Sequence, residues 1–181
     1  DLVREGKIHH ELPAIFGDYN LFKHQVEALK IGIQGKGFVV TSGTGSGKSL
    51  IFLATIFNKL LENHSNKKKG VKAILVYPMN ALINSQEEEI KKYEVNYLIN
   101  KCPGTIIPEE KVSLDDKIEF LKTKTHERFP IIYAKYTGQE NAESRKRIEK
   151  EVPDIILTNY MKLFTGSLRY FINFQTIGII L

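Results

Sequence analysis

Short runs rich in β-branched and aromatic residues alternate along this chain with longer stretches of helical composition, and this alternation constrains the fold most strongly. Five runs are predicted as strands: Gly37–Thr41, Lys72–Pro78, Ile131–Tyr136, Asp154–Thr158 and Thr176–Leu181. Six stretches are predicted as helices: Phe22–Gln34, Lys48–Glu62, Ala81–Asn100, Leu114–Thr123, Asn141–Glu151 and Tyr160–Phe171. Because parallel strands need crossover connections, this order predicts an α/β fold with a largely parallel sheet and helices on both of its faces.

The length of 181 residues predicts a single domain over 1–181 with room for a hydrophobic core. Hydrophobic residues make up 42% of the chain and charged residues 26%, which is the balance of a globular domain. Between 100 and 130 the alternation of helices and strands loosens, and prolines and glycines accompany a charged amphipathic stretch. We expect this segment to be an insertion or a lid at the edge of the domain.

The same composition bears on the cellular compartment. No apolar run approaches the roughly 20 residues that a membrane-spanning helix needs, and no segment typical of a signal peptide opens the chain. Cys102 is the single cysteine, so we expect no internal disulfide, and we expect a cytoplasmic protein that does not bind membranes. The formal net charge of +5 suits a partner that carries phosphates, although charge alone is weak evidence.

A glycine-rich loop with the sequence TSGTGSGKS, residues 41–49, lies between the first predicted strand and a predicted helix. Its glycines allow successive amide N–H groups to converge on an anion at the positive end of that helix. In such a phosphate loop Lys48 reaches the β- and γ-phosphates and is the candidate catalytic residue, while the Ser49 hydroxyl takes a Mg²⁺ position. Ser42 stands where the usual pattern begins with Gly or Ala. The candidate nucleotide-binding residues of the loop are Thr44, Gly45, Ser46, Gly47, Lys48 and Ser49.

Kinases, transport ATPases, GTPases and nucleic-acid motors all carry phosphate loops, so other stretches must separate these classes. LFKHQVEAL precedes the loop, while YPMNALINSQ, YTG and PDIILTNYM accompany the next three predicted strands. The carboxyl ends of parallel strands lie along one edge of a sheet, so the loops that follow these strands share that edge with the phosphate loop. Loops rich in Thr, Asn and Gly can bind a phosphodiester backbone without reading its sequence. The candidate nucleic-acid contacts are Pro78, Asn80, Thr137, Gly138, Thr158 and Asn159.

In this order the stretches resemble the motifs of the first motor domain of superfamily 2 helicases. HQ-x-EAL resembles the glutamine motif, TSGTGSGKS motif I, YPMNALINSQ motif Ia, YTG motif Ib, and PDIILTNYMKL the segment before motif II. Each motif is weak alone, but five in order are specific, and they cover the chain from about Leu21 onward. YPMNAL and TNYMKL are closer to the large bacterial DEAD/DEAH-like helicases than to the RNA-remodelling DEAD-box proteins.

The resemblance implies a RecA-like phosphate-loop NTPase fold, with ATP and Mg²⁺ as cofactors and with DNA or RNA held through its backbone. It implies that Gln25 hydrogen-bonds adenine, because an amide both donates and accepts. It also implies an acidic motif directly after the last predicted strand and a second motor domain that supplies an arginine finger. Since these groups position magnesium and stabilise charge, we expect the 181 residues alone to show little ATPase activity and no unwinding.

Two alternatives stay open at the level of the sequence. The first is a phosphate-loop kinase or transport ATPase that does not act on nucleic acid, and an arginine-rich lid would favour the kinase. The second is a binding module with an inactive phosphate loop, which the intact Lys48 and Ser49 disfavour. Arg145 and Arg147, in the helix after YTG, could contact phosphates or lie in solvent.

Overall fold

The fold is described from a computed structural model, which covers residues 2–17, 21–41, 47–63, 70–165 and 178–180. The chain divides into two compact units, Asp1–Ser65 and Asn66–Leu181. The first contains α1 (Leu12–Phe16), α2 (Lys23–Ile33) and α3 (Lys48–Glu62). The second contains β1 (Ala73–Tyr77), α4 (Asn80–Lys101), α5 (Leu114–Thr125), β2 (Tyr133–Tyr136), α6 (Ala142–Glu151), β3 (Ile155–Asn159), α7 (Tyr160–Phe164) and β4 (Gly178–Ile180). Among these helices, none is at once long and apolar enough to span a bilayer.

The first unit is built around α3, against which both α1 and α2 pack. The rings of Phe16 and Phe57 lie 5.4 Å apart between α1 and α3, and both side chains are buried. Asn58 of α3 is also buried, and its Oδ1 accepts a hydrogen bond of 2.7 Å from the His9 backbone N–H. Burial of these groups fixes the N-terminal segment onto α3, because a buried amide must keep its hydrogen-bond partners.

The second unit contains a parallel sheet with the strand order β2-β3-β1-β4. Its central strands β1 and β3 have the sequences AILVY and IILTN, and the first four residues of each are buried. Such continuous apolar strands are typical of a sheet covered on both faces. The register pairs Tyr77 with Asn159 and Tyr136 with Thr158, so three strands end side by side at the same edge.

Helices cover both faces of this sheet, as the sequence predicts. On one face Ile74, Val76 and Ile156 pack with Ile148 of α6. Side chains of the opposite face reach α4: the Tyr133 hydroxyl donates to Glu94, and Lys135 bonds to Asn84 and Glu87. Successive side chains of each strand point to opposite faces of the sheet, because a strand has a period of two residues.

Most predicted elements are confirmed within a few residues, and the exception is the strand predicted at Gly37–Thr41. These residues form neither helix nor strand, and Val39 is 89% exposed. That prediction is wrong because strand propensity requires a neighbouring strand to pair with, and the described residues give this segment none. The helix predicted at Tyr160–Phe171 forms over Tyr160–Phe164, and 166–171 lies outside the described residues. The short helix α1 was missed by the sequence analysis.

Candidate nucleotide site and candidate nucleic-acid interface

The candidate nucleotide-binding residues that the structure describes all lie in the first unit. Lys48 and Ser49 are the first two residues of α3, and both are half-buried. Gly47 precedes them with a left-handed backbone, at φ 71° and ψ 30°. It has no side chain to cap the helix, and the first turn of α3 carries no acidic residue. An uncapped helix N-terminus followed by a lysine and a serine suits the phosphates of a nucleotide. Thr44, Gly45 and Ser46 lie outside the described residues.

Gln25 joins the start of α2 to the end of the phosphate loop. Its Oε1 accepts a hydrogen bond of 2.9 Å from the Phe22 N–H, and its Nε2 donates to the Gly47 carbonyl at 3.2 Å. The side chain is only 4% exposed. A Cβ added at residue 47 would lie 2.5 Å from Nε2, so this approach requires glycine as well as the positive φ. The structure therefore gives Gln25 a role in positioning Gly47, and its contact with adenine stays a prediction.

The loops that follow β1, β2 and β3 meet at Asn159, and we call this the three-loop junction. The Nδ2 of Asn159 donates to Asn80 Oδ1 at 3.0 Å and to the Thr137 carbonyl at 3.4 Å. Its Oδ1 accepts from the Lys162 N–H at 3.0 Å, which caps α7. One amide thus connects the three strand ends, and the prediction that Asn80, Thr137 and Asn159 share an edge is confirmed geometrically. Pro78 is exposed beside Asn80.

Thr158 requires a correction. Its side chain is fully buried, at 0% exposure, and its hydroxyl donates a hydrogen bond of 2.6 Å to the Tyr136 carbonyl. The prediction that the Thr158 side chain contacts nucleic acid is wrong, because helices cover both faces of the sheet and the first four residues of β3 are all buried. Thr158 instead holds the ends of β2 and β3 together.

Glu140 is a site residue that the sequence analysis missed. Its carboxylate accepts hydrogen bonds of 2.7 Å from the Thr137 N–H, the Thr137 hydroxyl and the Gly138 N–H. Burial alone would raise the pKa of Glu140, but these hydrogen bonds outweigh it and lower the pKa below its ordinary value. The signal in the sequence was an acidic residue shortly after Thr-Gly, where it can close a turn.

The turn around Gly138 also gathers two cations. Arg145 Nη2 donates to the Gly138 carbonyl at 3.2 Å, and the stem of Lys162 occupies the space that a Cβ on residue 138 would need. Gly138 has φ 93°, so its backbone conformation favours glycine, whereas the flexible end of Lys162 beside it could shift. Thr137 is 7% exposed and its hydroxyl is bound to Glu140, so the accessible groups of this turn are those around Gly138.

Comparison with known proteins agrees with this architecture. The sequence model of the DEAD/DEAH box helicase family matches residues 22–180. An uncharacterized ATP-dependent helicase of Methanocaldococcus jannaschii is 39% identical over 140 residues, which cover 77% of this chain and 16% of that protein. The ATP-dependent DNA helicase Hel308 of Thermococcus kodakarensis is 38% identical over 80 residues, which cover 44% of this chain and 7% of that protein.

A solved structure shows the same fold. The DUF1998 helicase MrfA, crystallised with DNA, superposes with a TM-score of 0.61 at 19% identity, over 90% of this chain and 18% of that one. The expected RecA-like α/β fold is therefore confirmed. This chain spans less than a fifth of the length of each of these relatives. Since the family model covers most of its residues, the chain belongs to the DEAD/DEAH box helicase family.

Proposed function

We propose that this chain is the ATP-binding motor lobe of a helicase or translocase that acts on DNA or RNA together with a second motor domain. The observation that carries this proposal is the three-loop junction, which joins three neighbouring strand ends through Asn159. Membership of the helicase family favours this function over that of a kinase or a transport ATPase that does not act on nucleic acid.

The first unit supplies the nucleotide contacts in this proposal. The N–H groups of the first turn of α3 and the Lys48 ammonium bind the phosphates of ATP. Gln25 keeps Gly47 in the left-handed conformation that directs the loop into the helix. The Ser49 hydroxyl is the candidate ligand for Mg²⁺, which screens phosphate charge when it is bound.

Nucleotide binding is tested with Lys48→Ala in the full-length protein. Loss of the cation aimed at the phosphates should abolish most binding of a non-hydrolysable ATP analogue in isothermal titration calorimetry. Lys59→Ala is a matched control, because Lys59 lies in the last turn of the same helix and pairs with Glu62 on its surface. Equal affinity of the Lys48 variant and the wild type would overturn the assignment of the phosphate loop.

The second unit supplies the contact with a single nucleic-acid strand. Arg145 and Lys162 are the two cations beside Gly138, and neutral hydrogen bonds around Asn80 and Gly138 carry the rest of the contact with the backbone. Binding should therefore show little base preference and a shallow salt dependence, since each phosphate neutralised adds only about −0.7 to the slope on single strands. Fluorescence anisotropy across a salt series checks this, and a steep slope or a strong base preference would contradict the proposed backbone contact.

A further inference from the structure

We propose that four exposed apolar side chains beside the three-loop junction bind the bases of the strand whose backbone the junction holds. This apolar patch consists of Met79, Leu82, Tyr160 and Met161. The inference rests on the proposed function and adds to it, because it assigns the bases and not only the phosphates to a surface of this unit. It predicts that the protein distinguishes a strand with bases from a strand of equal charge without them.

The patch is assembled by the sheet register. Tyr77 and Asn159 are partners at the ends of β1 and β3, so the residues that follow them emerge side by side. The hydrogen bond of 3.0 Å between Asn80 and Asn159 fixes these two segments to each other. Met79 therefore lies next to the start of α7, where Tyr160 and Met161 follow directly after Asn159.

All four side chains are accessible in this structure. Met161 is 72% exposed, Met79 57%, Leu82 42% and Tyr160 38%. Single exposed apolar residues are ordinary on protein surfaces, but large apolar side chains that cluster beside a set of polar loops mark an interaction site. Methionine adapts its shape to flat rings, and tyrosine offers a ring on which a base can stack.

The surrounding charges identify the occupant as nucleic acid rather than an apolar protein surface. Arg145 and Lys162 converge on Gly138, at the other side of Asn159 from Met79. Among the described residues neither cation forms an ion pair with a carboxylate. The nearby Glu140 directs its carboxylate into the turn, onto Thr137 and Gly138. Cations on one side and apolar groups on the other match a single strand, whose phosphates and bases lie on different sides.

A duplex fits this surface less well than a single strand does. The faces of paired bases are covered by their neighbours in the stack, whereas an unpaired strand can turn its bases onto Tyr160 and the two methionines. Stacking of this kind tolerates every base, because each base has a flat π-face. The patch therefore adds affinity for single strands without adding sequence preference.

The first test compares two fluorescent strands of about 20 nucleotides, oligo(dT) and an abasic strand with the same number of phosphates, on the full-length protein. We expect the wild type to bind oligo(dT) about tenfold more tightly than the abasic strand. The double variant Tyr160→Ser with Met161→Ser should bind both strands as the wild type binds the abasic one. The matched control, Ile106→Ser with Val112→Ser, changes residues that are 85% and 80% exposed elsewhere in the unit and should keep the preference.

The outcomes separate this inference from the function on which it rests. Equal affinity of the wild type for the two strands would overturn the base contact and leave the backbone contact standing. A full preference for oligo(dT) in the double variant would overturn it as well. If the wild type bound neither strand, the proposed nucleic-acid function itself would fail.

A second test uses the two methionines directly, since Met79 and Met161 are the only ones in the 181 residues. Brief oxidation by hydrogen peroxide, followed by peptide mass spectrometry, reports the accessibility of each thioether. Oligo(dT) should slow the oxidation of both residues severalfold, and the abasic strand should protect them less. Slow oxidation of both methionines before any strand is added would overturn the inference, because another part of the protein would then cover the patch.

Discussion

Thr158 and Asn159 are neighbours in the chain but have opposite environments. The Thr158 hydroxyl is buried and bound to the Tyr136 carbonyl, whereas Asn159 is half-buried at the junction and binds Asn80 and Lys162. A change at the first residue should therefore affect stability, and a change at the second should also affect the candidate interface.

We predict that Thr158→Val lowers the free energy of unfolding by about 1 kcal/mol, because the Tyr136 carbonyl loses a hydrogen bond in the interior. Urea denaturation measures this difference. Thr123→Val is the control. The Thr123 hydroxyl donates to the backbone carbonyl of Glu119 on the exposed side of α5, so loss of this hydrogen bond should change stability little. The affinity for single-stranded nucleic acid should be unchanged in the Thr158 variant. A large loss of this affinity would support a contact between Thr158 and nucleic acid after all.

Glu140 gives the junction a pH dependence. Its pKa is lowered from an ordinary value of 4.5, so its stabilising effect is present above that pH and is lost as the pH falls through the lowered pKa. Glu140→Gln should therefore unfold more easily than the wild type at pH 7, and the difference should shrink below about pH 4.5. Thermal unfolding across a pH series checks this, with the exposed Glu149→Gln as control. A difference that persists unchanged at low pH would show that the charge of Glu140 is irrelevant.

At the scale of elements, α5 is attached to α4 by a buried carboxylate. Glu94 of α4 is 4% exposed; it accepts a hydrogen bond of 2.6 Å from the Tyr133 hydroxyl and forms an ion pair of 2.7 Å with Lys122 of α5. Burial raises the pKa of Tyr133 most, and the charge of Glu94 raises it further, so the Tyr133 hydroxyl keeps its proton and donates it to the hydrogen bond. A second ion pair, between Lys91 and Asp115, joins the same helices at the surface. The description of 100–130 as an insertion or lid stays a prediction, but α5 within it is firmly held.

We predict that Lys122→Met lowers the free energy of unfolding by about 1–3 kcal/mol, because it removes a charged partner from a buried carboxylate. Lys91→Met is the matched control and should cost at most about 1 kcal/mol, since the Asp115 side chain is 73% exposed. Hydrogen exchange should show faster opening of α5 in the first variant only. Equal effects of the two substitutions would mean that burial of Glu94 adds nothing to the attachment.

The sequence could predict those elements whose pattern is local. The apolar runs of β1 and β3 and the helix after the phosphate loop are confirmed, because burial on both sheet faces and the glycine loop leave clear signals. The failed strand at Gly37–Thr41 and the buried Thr158 depend instead on which segments pair and which face is covered. The role of Glu140 was not predicted for the same reason. It depends on the backbone N–H groups that the turn directs at its carboxylate, and the position of Glu140 in the sequence does not show this.

At the scale of the whole molecule, the residues that are candidates to bind ATP and those that are candidates to bind nucleic acid lie in separate compact units. The glutamine and the phosphate-loop residues lie within Asp1–Ser65, and the three-loop junction lies within Asn66–Leu181. We predict that a non-hydrolysable ATP analogue slows hydrogen exchange mainly in α2 and α3, whereas oligo(dT) slows it mainly around α7 and the start of α4. Mass spectrometry of peptides from the full-length protein measures both patterns. Protection of the same peptides by both ligands would contradict this division.

Because the two candidate sites lie in different units, any coupling between the two ligands has to be measured with both ligands present, and neither site alone reports it. If ATP changes the affinity for a strand by some factor, the strand must change the affinity for ATP by the same factor, because the cycle of binding steps closes. A variant confined to the junction could therefore lower the affinity for the nucleic-acid strand by the same factor with and without ATP. The ratio of these two affinities would then stay constant. Another variant could keep the affinity for ATP alone and the affinity for the strand alone but change this ratio. Such a variant would identify residues that couple the two sites without contacting either ligand.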